Sequence, residues 1–197
     1  MHRVQKRKGV SNTNIILGVD PGTIITGYGV IEASNTELKL KEYNVIQSLS
    51  TEPLPLRLKK IFDTLMSIIS KHQPNEFAIE TAFYGKNVQS ALKIGQARGV
   101  ALLAAVNFGM PTEEYSPREV KKAVTGNGAA SKRQVQYMVQ SQLHLKAAPK
   151  YFDATDALAV ALCHFYRSGF PQRDGKRSTK NWEHFIHNHP ERVVNIR

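Results

Sequence analysis

The chain has one cysteine, Cys163, and one tryptophan in 197 residues. A lone thiol excludes a disulfide framework within the chain, and Cys163, inside an apolar helical stretch, reads as a small core residue. No apolar run approaches the roughly 20 residues of a membrane span. Nothing of signal-peptide type follows the basic start MHRVQKRKGVSN, so a cytoplasmic protein with no membrane partner is expected. Acidic residues are scarce as well: 16 Asp and Glu against 27 Lys and Arg leave a formal net charge of +11. That excess points to a polyanionic partner, nucleic acid above all, with solubility alone as the plainer use of the charge. What is present is a 41% hydrophobic content. It is enough for one ordinary core, in a chain too short for two large lobes.

Scarcity makes the placement of the carboxylates informative. Asp20 ends the apolar run Ile15-Ile16-Leu17-Gly18-Val19, just before the turn Pro21-Gly22. Glu80 ends a second short apolar run, FAIE. Asp153 and Asp156 open the last helix, and a spacing of three puts both on one helical face. Each has a local use: Asp20 as a turn starter, Glu80 as a solvent-facing strand end, Asp153 as an N-cap with Asp156 behind it. Taken jointly they suggest more. An ionised carboxylate at the edge of an apolar strand costs several kcal/mol unless a cation compensates it. No Lys or Arg is adjacent to Asp20 or Glu80 in sequence. A hard divalent cation is the economical partner, and two such ions about 3.5–4 Å apart suit in-line displacement at a phosphate.

The spacing of apolar residues predicts the elements around these groups. Residues 14–20, 24–33 and 37–48 read as three closely spaced strands, an antiparallel meander. From Leu54 to Ile69 the apolar residues recur at helical spacing, and Pro74 follows that helix. Residues 77–81 and 111–115 read as short strands; 87–107, 117–124, 131–143 and 153–168 read as helices. The strand–helix alternation of this half predicts parallel strands covered by helices. Three segments are expected: a basic flexible arm over residues 1–13, one α/β domain over 14–168, and a basic polar tail over 169–197. The tail carries Arg173, Lys176, Arg177 and Lys180, with His184, His187 and His189 in no zinc-binding pattern. His164 reads as a satisfied core histidine.

Four stretches, LGVDPGTIITGYGVIE, FAIETAFYGKNVQSALKIGQARGVALLAA, YSPREVKKAVTGNGAASKRQVQ and DATDALAVALCH, resemble in order the RuvC family of Holliday-junction resolvases, the crossover junction endodeoxyribonucleases. The resemblance implies a ribonuclease H-like fold, a five-stranded mixed sheet flanked by helices. It places the family's acidic tetrad on Asp20, Glu80, Asp153 and Asp156, as catalytic and metal-binding residues. It implies Mg2+, two per active site with Mn2+ substituting, and a homodimer that resolves four-way DNA junctions by paired symmetric nicks in recombination and repair. A branch-migration motor of the RuvA and RuvB type is the further implied partner.

The DNA contacts expected are Phe83, Tyr84, Lys86, Lys121, Lys122, Lys132 and Arg133. An aromatic pair beside a carboxylate site can stack on exposed bases, each worth about 1–3 kcal/mol, with core packing as the alternative for Phe83. By resemblance Phe83 is the aromatic that enters the junction centre, and Lys121 and Lys132 match functionally important lysines. Ser131 with Gln134 reads as a capping box behind the loop Thr125-Gly126-Asn127-Gly128, whose backbone N–H groups suit a phosphate. Two other readings remain. DPGT…TGYG also looks like the phosphate loop of sugar-kinase, Hsp70 and actin ATPases, a fold that needs two lobes. A DNA-binding module without catalysis fits the charge but not the tetrad, since bare carboxylates repel phosphates.

Overall fold

The computed structural model describes residues 13–34, 37–81 and 88–168. The apolar runs become strands β1 (Asn14–Asp20), β2 (Ile25–Ala33) and β3 (Leu38–Gln47), joined as an antiparallel meander. Helix α1 (Leu54–His72) then carries the chain back to β4 (Glu76–Glu80), which pairs parallel to β1. Helix α2 (Val88–Val106) leads to β5 (Thr112–Tyr115), parallel to β4. Helices α3 (Pro117–Thr125), α4 (Lys132–Gln142) and α5 (Phe152–Arg167) complete the described chain. The sheet order is β3-β2-β1-β4-β5, so the antiparallel half and the parallel half meet at β1. The expected elements agree to within about two residues at each end except α1, whose last turn runs on to His72.

Strand alternation divides the core into two layers. Leu17, Val19, Val30, Phe77 and Ile79 face α1 and α2, where Ile61, Leu65 and Ala101 meet them. Ile16, Ile31 and Ala78 face α3, α4 and α5. Each fully buried aliphatic side chain contributes about 1.5–3 kcal/mol, so Leu65→Ala, at a site with no exposure, is expected to cost about 2–5 kcal/mol. Cys163 and His164 are buried in α5, as their setting suggested. The ring nitrogens of His164 are both satisfied, by the Tyr115 hydroxyl at 2.8 Å and the Glu76 carboxylate at 2.6 Å.

The helix starts show which local signals mattered. Ser131 and Gln134 form the expected capping box on α4. A second one, Ser116 with Glu119, opens α3; it was equally legible as S-x-x-E. The N-cap reading of Asp153 fails: Tyr151 occupies the N-cap of α5 and no side chain caps it. Asp153 stands in the first turn, free for another use.

The acidic site at the end of the central strands

Asp20 closes β1 and Glu80 closes β4, which run parallel side by side. Strand alternation puts Gly18 and Asp20 on the α5 side of β1, and Ala78 and Glu80 on the same side of β4. The N-terminal part of α5 brings Asp153, in its first turn, and Asp156, just after it, to them. Its approach is set by glycines. A Cβ at Gly27, the residue paired with Asp20 across the sheet, would lie 1.9 Å from the Asp153 carbonyl oxygen. One at Gly18 would lie 2.3 Å from the Ala157 carbonyl oxygen, and one at Gly29 would lie 2.5 Å from Leu158 Cδ2. The bare strands let the helix backbone rest on the sheet, which places its two aspartates beside Asp20.

The turn after Asp20 is built as closely. The Thr26 hydroxyl donates to the Gly22 carbonyl at 2.5 Å and accepts from the Gly22 N–H at 3.3 Å. A Cβ at Gly22 would meet the Ile25 carbonyl oxygen at 2.2 Å. The chain therefore folds back tightly just past Asp20.

The carboxylates act on one another. Burial, then Asp156 and Asp153, push the Asp20 carboxyl up to about 7. Burial, then Asp20 and Asp156, push Glu80 up to about 8. Asp156 is raised by burial, against the pull of Lys132. Lys132 is the cation in their midst: its Nζ donates to Asp156 Oδ2 at 2.9 Å, and that bond raises its own pKa. Lys121 also lowers Glu80 and Asp156 through space. Two lysines from α3 and α4 thus supply the positive charge that the neighbouring sequence lacked.

The donor set is made of carboxylate oxygens alone, which suits hard divalent cations. Among the described residues no three His, Cys, Asp or Glu side chains close into a ready metal cage. That is the usual arrangement for magnesium, which is held by one or two carboxylates and completes its shell with water and substrate phosphate. Burial first, and then the neighbouring carboxylates, raise Asp20 and Glu80, and a bound cation would offset both. Of the DNA contacts expected, Lys121 and Lys132 reach the site. Lys122 and Arg133 are exposed and form no ion pair among the described residues. Phe83, Tyr84 and Lys86 lie outside the described residues, as do residues 1–12 and the tail from 169. Sequence reading missed Gly18, Gly27 and Gly29; their signal was the recurrence of glycine at every second position on strands flanking an acidic end.

A mixed sheet in this order, helices on both faces, and carboxylates gathered at the ends of the central strands define a ribonuclease H-like nuclease fold. The family model described as "Crossover junction endodeoxyribonuclease RuvC" matches residues 16–164. Curated relatives carrying that description include one from Christiangramia forsetii, 42% identical over 98% of this chain and 100% of its own length. Another, from Shewanella amazonensis, is 55% identical over 77% of this chain and 87% of its own. Among solved structures, "T. thermophilus RuvC in complex with Holliday junction substrate" superposes with a TM-score of 0.75 at 33% identity, over 79% of this chain and 94% of that one. The chain belongs to the RuvC family of crossover junction endodeoxyribonucleases. It is an endonuclease of Holliday junctions, which decides against both the ATPase reading and the non-catalytic module.

Proposed function

We propose that Asp20, Glu80, Asp153 and Asp156 hold two magnesium ions, with manganese as a substitute, and that the enzyme cuts two opposed strands of a four-way junction to leave 5′-phosphate and 3′-hydroxyl ends. The observation that supports this reading is the mutual electrostatic coupling of Asp20, Asp153, Asp156 and Glu80, drawn from three separate elements. Bound there, the metals would supply water activation and neutralisation of charge at the phosphate. The chain does the rest. Asp20 and Glu80 sit on rigid strand ends, which fixes their oxygens. Asp153 and Asp156 are held by the seat of α5 on the glycines. Lys132 and Lys121 offer cations to the scissile phosphate, Lys132 by moving from Asp156 to the substrate. Lys122, Arg133 and Lys86 extend the basic surface along the backbone, and Phe83 and Tyr84 stack at the junction centre.

The protomer is proposed to work as a homodimer paired through α2. Val88, Leu92, Leu103 and Val106 form an exposed stripe along that helix. A Cβ at Gly95 or Gly99 would meet nothing within 4 Å, so a second helix could approach closely there. Exposed apolar patches of this kind mark interaction surfaces, and a two-fold pairing would supply the two sites that paired nicks require. A RuvA and RuvB type motor is the proposed further partner and the cytoplasm the proposed compartment; no described helix is long and apolar enough to cross a membrane. Residues 14–168 form the proposed nuclease domain, with the arm and the tail as basic extensions.

The deciding experiment is a nicking assay on a synthetic four-way junction. Magnesium or manganese should give symmetric nicks with ligatable ends, and calcium should support binding with little cleavage. Equal rates in magnesium and EDTA would end the metal reading.

A further inference from the structure

Arg57 stands in the first turn of α1 and is buried, 7% exposed. Among the described residues its side chain makes one hydrogen bond, from Nη1 to the Thr23 hydroxyl at 3.5 Å, the outer limit for such a bond. Its Nε has no partner among the described residues. No carboxylate forms an ion pair with it among the described residues, and Glu52, just ahead of the helix, does not reach it. A guanidinium carries five donors in a rigid fork and stays charged. Burying it with one marginal contact is costly, and proteins do so where an anion completes the site.

The surroundings favour an anion. No side chain caps the N-terminus of α1, and the first turn holds no acidic residue, so the positive end of the helix dipole is uncompensated. Helical side chains lean toward the N-terminus, which aims Arg57 at that end. Thr23 belongs to the turn that begins at Asp20. The Ser48 N–H, just before α1, bonds to the Ile24 carbonyl, so the start of α1 and the acidic site share one end of the sheet.

We propose that Arg57, the Thr23 hydroxyl and the N-terminus of α1 form a second phosphate subsite, which grips a backbone phosphate of the bound DNA strand away from the scissile bond. Arg57 is a positioning residue: it fixes the strand so that the scissile phosphate lies over the carboxylates. The inference rests on the junction-nuclease reading above, and the two fail separately. Magnesium-dependent cleavage of an unmodified junction by the natural enzyme tests that reading alone.

The test of the subsite uses the full chain and junctions carrying one neutral methylphosphonate at successive positions, with binding measured without metal. In the natural enzyme one position should lower affinity about tenfold. Arg57→Gln should bind the unmodified junction about tenfold more weakly, with the salt slope reduced by about one, and should lose nothing more at that position. Thr23→Val should show the same coupling in smaller degree. Additive losses at every position would overturn the proposal. A structural role is separated by Arg57→Met, which should hold or raise the melting temperature because an unpaired buried charge is removed. A marked fall in melting temperature, or failure of Arg57→Met to fold, would make Arg57 a strut and overturn the subsite.

Discussion

The Lys132 ammonium donates to the Asp156 carboxylate across 2.9 Å, tying the N-terminus of α4 to the N-terminal part of α5 over the acidic end of the sheet. Lys132 is 64% exposed at its side chain and Asp156 only 19%, so the lysine can leave and the carboxylate cannot. The pair gives the metal-free site a removable counter-charge.

Replacing that counter-charge gives the first prediction. Lys132→Met should lower the cleavage rate about 10–100-fold while weakening junction binding little, because one mispositioned phosphate costs rate more than affinity. Its salt slope should fall by about one. Fluorescence anisotropy across a salt series and single-turnover cleavage read the two effects separately. An unchanged slope would remove Lys132 from the DNA.

The carboxylates themselves give the second. Asp20→Asn, Glu80→Gln or Asp156→Asn should each reduce cleavage by about 100-fold or more, as loss of a preorganised charge does elsewhere. Binding of the junction should hold or tighten, since a negative charge beside phosphates is gone. Full activity in any one variant would free that residue from the site.

The third concerns pH without metal. Asp20 titrates near 7 and Glu80 near 8, both well above an unfolded carboxylate. A raised carboxyl is protonated more readily in the folded state, so it adds stability below the unfolded value, about pH 4, that is lost as pH rises through 7 to 8. In EDTA the melting temperature should therefore fall between about pH 5 and 8.5. Asp20→Asn should flatten that fall and melt a few degrees higher at pH 8. Magnesium should offset it as well, because the ion favours the ionised carboxylates. Differential scanning fluorimetry across pH, with and without magnesium, checks both; a flat profile in EDTA would contradict the shifts.

The fourth concerns the seat of α5. Gly27→Ala puts a methyl into the Asp153 carbonyl, so the helix start must lift. A cost of about 1–3 kcal/mol is expected, a fall in melting temperature of roughly 2–10 °C. Cleavage in the folded fraction should fall too, since Asp153 and Asp156 move with the helix. An active, unshifted Gly27→Ala enzyme would show that the spacing is not critical.

The fifth concerns α2. Leu92→Glu or Leu103→Glu should convert the proposed dimer to a monomer, read by light scattering, with nicks on single strands only. A persistent dimer would place the interface elsewhere.

Much of this was legible in the chain because the signals were local. The short apolar runs of β1 and β4 and the i, i+3 spacing of Asp153 and Asp156 each report one element, and each formed. What sequence did not yield was convergence. Nothing beside Asp20 or Glu80 announces a cation, because Lys132 and Lys121 arrive from helices folded over the far half of the chain. The N-cap reading of Asp153 failed for a related reason: helix α5 begins a residue earlier, at Phe152, with Tyr151 before it. The glycines were visible inside the expected strands but carried no assigned role, because only the packed helix shows what their missing side chains make room for.

Gly18, Gly27 and Gly29 have one more consequence. Side-chain packing is forgiving, since a leucine can change rotamer and absorb an error of half an ångström. Here much of the contact between helix and sheet is backbone against backbone, which has no rotamer to change. The spacing of the four acids is gauged by the thickness of the polypeptide itself, a hard stop in place of a cushion. Drift elsewhere in the core can alter how firmly α5 is pressed down, but it has little means of changing where the helix comes to rest.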